Sequence, residues 1–336
     1  MNKQSWIKVA IIAITAILIV AITLGTACAP SQKEVRDLQC LGGPSGMGGY
    51  LANFGLGEVL TKHSTWLRGS VVETAGVGEN IMLIEEDPQN KIGYASTTTL
   101  ALAMKGNEPY PGPMLKGRAI AKFGNVATPI VTLDPNIKTI ADLKGKTVNT
   151  QYVGNPHAHW VWGMMANHGI SEDEVTITYL GFQGGADALI AGKVDATLVG
   201  NSGVPISMMP ITQKLAASKD IYAIQLDPAD TAAAAKEYDM PFYVDVVKKA
   251  DNPGLPADMP GLGMSLYYFC NEEMDDDVVT EICRVLYEHY EEIKPVYAGF
   301  RGLTPEIFTQ VRGYPKEHYH PAAIKFWEEK GLQFPQ

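Results

Sequence analysis

Apolar and polar positions fall into an alternating grammar along this chain. "DLQCLGG" (37–43), "RGSVVETAG" and "KIGYAST" are short apolar runs with the two-residue period of strands. "YLANFGLGEVLTKH", a segment within "GVGENIMLIEEDPQ", and "TTLALAMKG" follow them with helical spacing. "GRAIAKFG" and "TPIVTLD" read as two further strands. The middle repeats the pattern: "TIADLKGKTVNTQ" as a short helix and strand, "NPHAHWVWGMMANHG" as a helix, "VTITYLG" as a strand, "GGADALIAGK" as a helix and "VDATLVG" as a strand. "PISMMPITQKLAAS" is expected to be a helix and "IYAIQL" a strand, while 227–262, rich in Pro, Asp and Gly, is expected to be irregular. "LGMSLYYFCN" is a late strand, and "DDDVVTEICRVLYEHYEEI" an amphipathic helix whose acidic start suits the positive end of the helix dipole. Strands alternating with helices imply parallel βαβ units and an α/β fold.

The N-terminus adds a destination. Lys3 and Lys8 precede sixteen uncharged residues, 9–24, and then "GTACAPS". A basic, apolar, small-residue order is that of an export signal, and the apolar run is short for a membrane span. Cys28 after Gly25, Thr26 and Ala27 is similar to a lipoprotein signal, in which the cysteine is lipidated and becomes the first residue. Residues 1–27 are therefore expected to be a signal peptide and 28–36 a tether. An extracytoplasmic, lipid-anchored protein follows.

Composition narrows the partners. The net charge is −10, and removing residues 1–27 takes away two lysines and no acid, which leaves −12. An acidic chain argues against nucleic acid, whose phosphates need a basic face. The 336 residues suffice for two domains. Cys40, Cys270 and Cys283 are an odd set without CxxC spacing, read as small buried hydrophobes. No GxSxG or HExxH is present, so no catalytic residue is assigned and an enzyme is not expected. His157 and His159 are two apart and cannot share a helix face, so no metal is assigned, and no cofactor either.

The order "GG…GGY", "GYAST", "TIADLKGKTV", "EDEVTITYLGFQGGADALIAGKVDATLVG" and "YHPAAIKFWEEKG" resembles the TAXI family, the extracytoplasmic solute-binding proteins of TRAP-type transporters. The resemblance spans nearly all of 38–331 and is most specific between Ile140 and Gly200. It implies a two-lobed periplasmic-binding-protein-like fold (type II) with the ligand in the cleft between lobes. The lobes are expected at 37–124 plus 263–336 and at 125–262. It also implies a monomer whose partners are a small carboxylate-bearing ligand, an organic acid or amino acid, and TRAP-type permease subunits. A ligand sensor or an ABC-type receptor would need the same cleft.

In open α/β sheets the loops after the strand C-termini form the ligand crevice. Five such loops are legible. "LGGPSGMGGY" (41–50) fits neither GxGxxG nor a phosphate-binding loop, and opens a helix whose free amides suit a carboxylate. Its candidates are Ser45, Gly46, Met47, Gly48, Gly49 and Tyr50. The other loops supply Ser96 and Thr97, Asn155 and His157, Phe182 and Gln183, and Asn201 and Ser202. Asn155 before Pro156 is also the expected cap of its helix. Trp160, Trp162, Met164 and Met165 are expected in the core; Lys122 and Arg118, close to the expected lobe crossing, are read as surface residues, with offsetting a ligand carboxylate as the alternative. "VGNPHAHW" replaces the Gly-Ser-Gly type turn common in the family: Pro156 removes an amide and the rings add bulk, which points to a ligand larger or more apolar than a simple amino acid.

Overall fold

A computed structural model describes residues 33–107, 110–152 and 155–335, so the signal-peptide expectation and Cys28 lie outside the described residues. In chain order the elements are β1 (Arg36–Gly43), α1 (Gly48–His63), β2 (Leu67–Glu73), α2 (Val77–Glu86), β3 (Lys91–Ser96), α3 (Thr97–Lys105), β4 (Gly117–Thr128), β5 (Ile130–Thr132), β6 (Thr147–Asn149), α4 (Pro156–Asn167), β7 (Thr176–Thr178), α5 (Gly181–Ile190) and β8 (Ala196–Leu198). They continue with β9 (Asn201–Gly203), β10 (Ile206–Met208), α6 (Pro210–Ser218), β11 (Tyr222–Ala223), α7 (Pro228–Tyr238), β12 (Tyr243–Val247), β13 (Met259–Asn271), α8 (Asp276–His289) and α9 (Pro321–Glu329).

These strands make two sheets. The larger has the order β10-β9-β4-β13-β3-β1-β2, with β12 also paired to β13; the smaller is β11-β5-β8-β6-β7. β1, β2 and β3 are mutually parallel, as are β6, β7 and β8. β4 is the outward crossing: only Pro129 separates its last residue, Thr128, from β5 of the smaller sheet. β13 is the return, antiparallel to both β3 and β4.

Two expectations fail in detail. The expected helix does not begin at Pro205: Ile206–Met208 is a strand, β10, paired with β9, and β9 pairs with β4. Helix begins only at Pro210, where a fixed φ and a missing amide suit the first helical turn. Nor is 227–262 irregular. Asp227 caps α7 by accepting from the Ala229 amide, Pro228 follows at the first position, and a run of alanines propagates the helix.

The packing explains the register. Tyr268 on β13 donates its hydroxyl to the Ala52 carbonyl of α1 (3.1 Å), and Trp327 of α9 donates to the Ile120 carbonyl of β4 (2.8 Å). Around them Leu56, Phe123, Ile282, Leu286 and Phe308 are buried together with Cys40, Cys270 and Cys283, all three free. A second apolar cluster runs from Ile84, Leu100 and Phe269 to Trp160, Met164, Val148 and Ala196, and so spans elements of both sheets. Trp160 also donates to Thr231 Oγ1 (3.2 Å), which locks α4 onto α7.

Candidate functional site

The glycine-rich loop turns through exposed Ser45 and Gly46, the latter at φ +78°, and delivers Met47 as the N-cap of α1. The Met47 side chain makes no capping bond, and no acidic residue lies in the first turn. Helix geometry leaves the amides of that turn without intrahelical partners, so Gly48, Gly49 and Tyr50 present free N–H groups at the positive end of the dipole. The Ser45 amide is already used, donating to Glu73 Oε1 at 3.2 Å.

What faces this turn comes from β9. A Cβ added to Gly48 would lie 2.4 Å from Ser202 Oγ. Ser202 is 4% exposed, and its hydroxyl has no hydrogen-bond partner among the described residues. Its carbonyl accepts from the Tyr297 hydroxyl (3.2 Å), which fixes the backbone and leaves the side chain free. Asn201 beside it gives its amide group to the Ala127 and Val199 carbonyls (both 3.3 Å) while Oδ1 stays unpaired and buried. Buried polar atoms are normally satisfied, and those that are not need an explanation.

Gly49 has a different role from its neighbour. A Cβ there would fall 2.3–2.6 Å from the ring of Tyr94 on β3, so the missing side chain at 49 lets α1 pack on the sheet. Tyr50 is half-buried, and its ring lies against Gly42.

From the smaller sheet come the starts of α4 and α5. Asn155 Oδ1 accepts from the His157 amide (3.1 Å) and also meets His157 Nδ1, so it caps α4 as expected. His157 Nε2 lies 3.1 Å from Thr128 Oγ1, at the end of the crossing strand. Burial lowers the His157 pKa to about 4, which keeps the imidazole neutral. The Phe182 ring stands edge-on to it at 6.0 Å. His159 turns instead to Tyr238 (5.1 Å), so the two histidines face different neighbours. Gln183 is exposed and bonds Asp187 within its own helix (2.9 Å).

Ser96 and Thr97 diverge. Ser96 caps α3, accepting from the Thr99 amide at 3.2 Å. Thr97 is 2% exposed with Oγ1 unpaired, and it lines a cavity of about 340 Å3 with Ala101, Met104, Met240, Tyr314 and His318. His318 Nδ1 is without a partner there among the described residues.

Three features escaped the sequence reading. Thr150 follows β6 fully buried with Oγ1 unpaired. Gln151 next to it is buried at φ +79°, a conformation rare outside glycine and often found at functional sites. Lys122 is the third: only 7% exposed, it corrects the surface expectation. Its β4 position faces Tyr267 on β13, inside the sheet rather than at its rim. No hydrogen bond or ion pair is made by its ammonium among the described residues, and burial lowers its pKa to about 8 against the pull of Asp245. Arg118 bonds Glu272, the Leu115 carbonyl and the Gly117 carbonyl.

A model of the NMT1-like family matches residues 42–331, the greater part of the chain. The chain belongs to the NMT1-like family. Among solved structures, MatC from Rhodopseudomonas palustris with bound malate shares 12% identity at a TM-score of 0.53, covering 88% of this chain and 96% of that one. A structure described as a periplasmic transporter shares 12% identity at 0.50, covering 90% and 95%. The aliphatic sulphonate binding protein SsuA from Escherichia coli shares 14% at 0.49, covering 88% and 94%. The first two establish the fold: this NMT1-like chain has the two-lobed α/β architecture of periplasmic binding proteins. Thr128 ends the crossing strand, His157 meets it from α4, and β9 with Ser202 pairs alongside the same strand.

Proposed function

We propose that this NMT1-like protein is an extracytoplasmic solute-binding receptor that holds a small carboxylate-bearing ligand, an organic acid or amino acid, between its lobes. The lobes are 37–124 plus 263–336 and 125–262. The observation that carries the reading is the pairing of the uncapped first turn of α1 with the buried, unpartnered hydroxyl of Ser202. A carboxylate at that point would accept from the amides of 48–50 and from Ser202 Oγ, and charge-assisted bonds of this kind are the strong ones. His157, Phe182, Asn155 and Asn201 border the rest of the ligand in this reading, and Met47 and Tyr50 its entrance.

The neutral imidazole and the Phe182 ring suit a ligand with an apolar body. In this reading the site's role is capture and release of the ligand. The ligand is handed to a TRAP-type permease, which the TAXI resemblance implies, by a monomer anchored through a lipid on Cys28. The MatC structure with malate is consistent with a carboxylate on this fold.

A thermal-shift screen of the full chain against organic acids and amino acids tests the reading. A ligand at one hundred times its Kd adds about 2.7 kcal/mol to stability, which raises the melting temperature by several degrees. A screen in which only sulfonates or neutral sugars shift the melt would contradict the carboxylate assignment.

A further inference from the structure

A cluster at the opposite end of α1 has chemistry that the solute site does not use. His63 is the last residue of α1 and His289 the last of α8. Their rings stack with centroids 3.5 Å apart and planes 5° from parallel. Glu292, just beyond α8, places Oε1 2.8 Å from His63 Nε2 and 3.6 Å from His289 Nδ1. One ligand atom from each residue lies within 4.8 Å of the other two. Lys62 holds the second carboxylate oxygen, Oε2, at 2.7 Å and leaves Oε1 for the histidines.

The surroundings favour a cation. Two helix C-termini converge here, each carrying the negative end of its dipole. The ends are held in place: Arg284 of α8 donates to the His63 carbonyl (3.0 Å) and is itself paired with Glu281 (2.8 Å). The imidazoles are half-buried and the carboxylate is exposed, so an ion from solvent can reach all three.

We propose that His63, His289 and Glu292 form a Zn2+ site that fastens the end of α1 to α8. Two imidazole nitrogens and a carboxylate oxygen, with water in the fourth position, are a donor set that zinc accepts. A metal lies in the plane of each imidazole it binds, so chelation tilts the two rings out of their parallel stack about Glu292. Neither histidine belongs to the solute site. A helix of 16 residues puts Gly48 about 24 Å away, so the two readings stand or fall separately.

The test is a competition titration of Zn2+ against a chromophoric chelator, on the untagged full chain and on His63→Gln, His289→Gln, Glu292→Gln and Lys62→Met. One zinc per chain is expected. Each histidine change should weaken it by at least about 10- to 100-fold, the loss that even outer-shell changes cause. Lys62→Met should tighten binding, because an ammonium that competes for Glu292 is gone. Zinc should raise the melting temperature of the wild type and leave both histidine variants unmoved, their metal-free melts reporting that they fold. Absence of wild-type binding, or affinity unchanged in both histidine variants, overturns the site.

Discussion

Ser202 Oγ sits 2.4 Å from the point where Gly48 would carry a Cβ, buried and without a hydrogen-bond partner among the described residues. β9 and the start of α1 therefore approach so closely that a side chain at 48 would displace the Ser202 hydroxyl, an unused donor. Ser202→Ala separates structure from binding. Removing an unpaired buried hydroxyl costs the fold little. Losing a bond to a charged ligand costs about 1.5–3 kcal/mol, roughly 10- to 150-fold in Kd. Calorimetry beside a melting curve should show weaker binding at an unchanged apo melting temperature. A large drop in apo stability would make Ser202 a structural residue.

Gly48 and Gly49 are adjacent and should respond differently. Gly48→Ala pushes against Ser202 Oγ, which can rotate away. Alanine is the better helix former by about 0.8–1 kcal/mol, so affinity should fall while stability holds. Gly49→Ala meets the buried Tyr94 ring instead and should destabilise by roughly 1–3 kcal/mol, as overpacked cores do. Equal melting temperatures for the two variants would contradict this division.

His157 makes stability pH-dependent. Its folded pKa is lowered to about 4 by burial, against about 6.5 when unfolded. The unfolded chain therefore binds the proton more tightly. The neutral imidazole costs nothing above about pH 6.5, and stability falls as pH drops from there toward 4, by about 3 kcal/mol in all. Denaturant melts of wild type and His157→Gln across that window should converge as pH falls. Parallel curves would mean that the imidazole is not buried neutral.

Lys122 works the other way along the pH axis. Its folded pKa of about 8 lies below the usual lysine value, so the charged form penalises the fold below pH 8, and the penalty lifts as pH rises toward 10.5. Lys122→Met should stabilise the protein at pH 7 by roughly 1–3 kcal/mol, because a buried unpaired ammonium is exchanged for an apolar chain of similar length. The advantage should shrink at pH 10. A destabilised Lys122→Met at pH 7 would show that Asp245 and the surrounding hydroxyls more than offset the burial.

The parallel units were legible because each strand and helix of 36–105 carries its own period and stop signal. Asn155 and Pro156 marked α4 to the residue for the same reason. The segment 201–208 was not legible: β9 and β10 are three-residue strands, β10 pairs with β9, and β4, the partner of β9, lies some 75 residues earlier, a pairing that no local pattern encodes. α7 was concealed by composition, although Asp227, Pro228 and the alanines were a sufficient signal. At the site, the loops were readable as Gly- and Ser-rich strand ends, but the direction of each side chain was not. Ser96 turned inward to cap α3, Gln183 outward to Asp187, and Ser202 toward Gly48. Lys122 was misplaced because a lysine near a strand end is usually a rim residue, and only the antiparallel return of β13 encloses it.

The central claim is that a carboxylate is held where α1 begins. A crystal structure of the protein with the acid that most raises its melting temperature tests this most directly. The carboxylate oxygens are expected at hydrogen-bond distance, about 2.7–3.2 Å, from the amides of residues 48–50 and from Ser202 Oγ. An acid lodged instead in the cavity of Thr97, Tyr314 and His318, with the first turn of α1 untouched, would contradict the account.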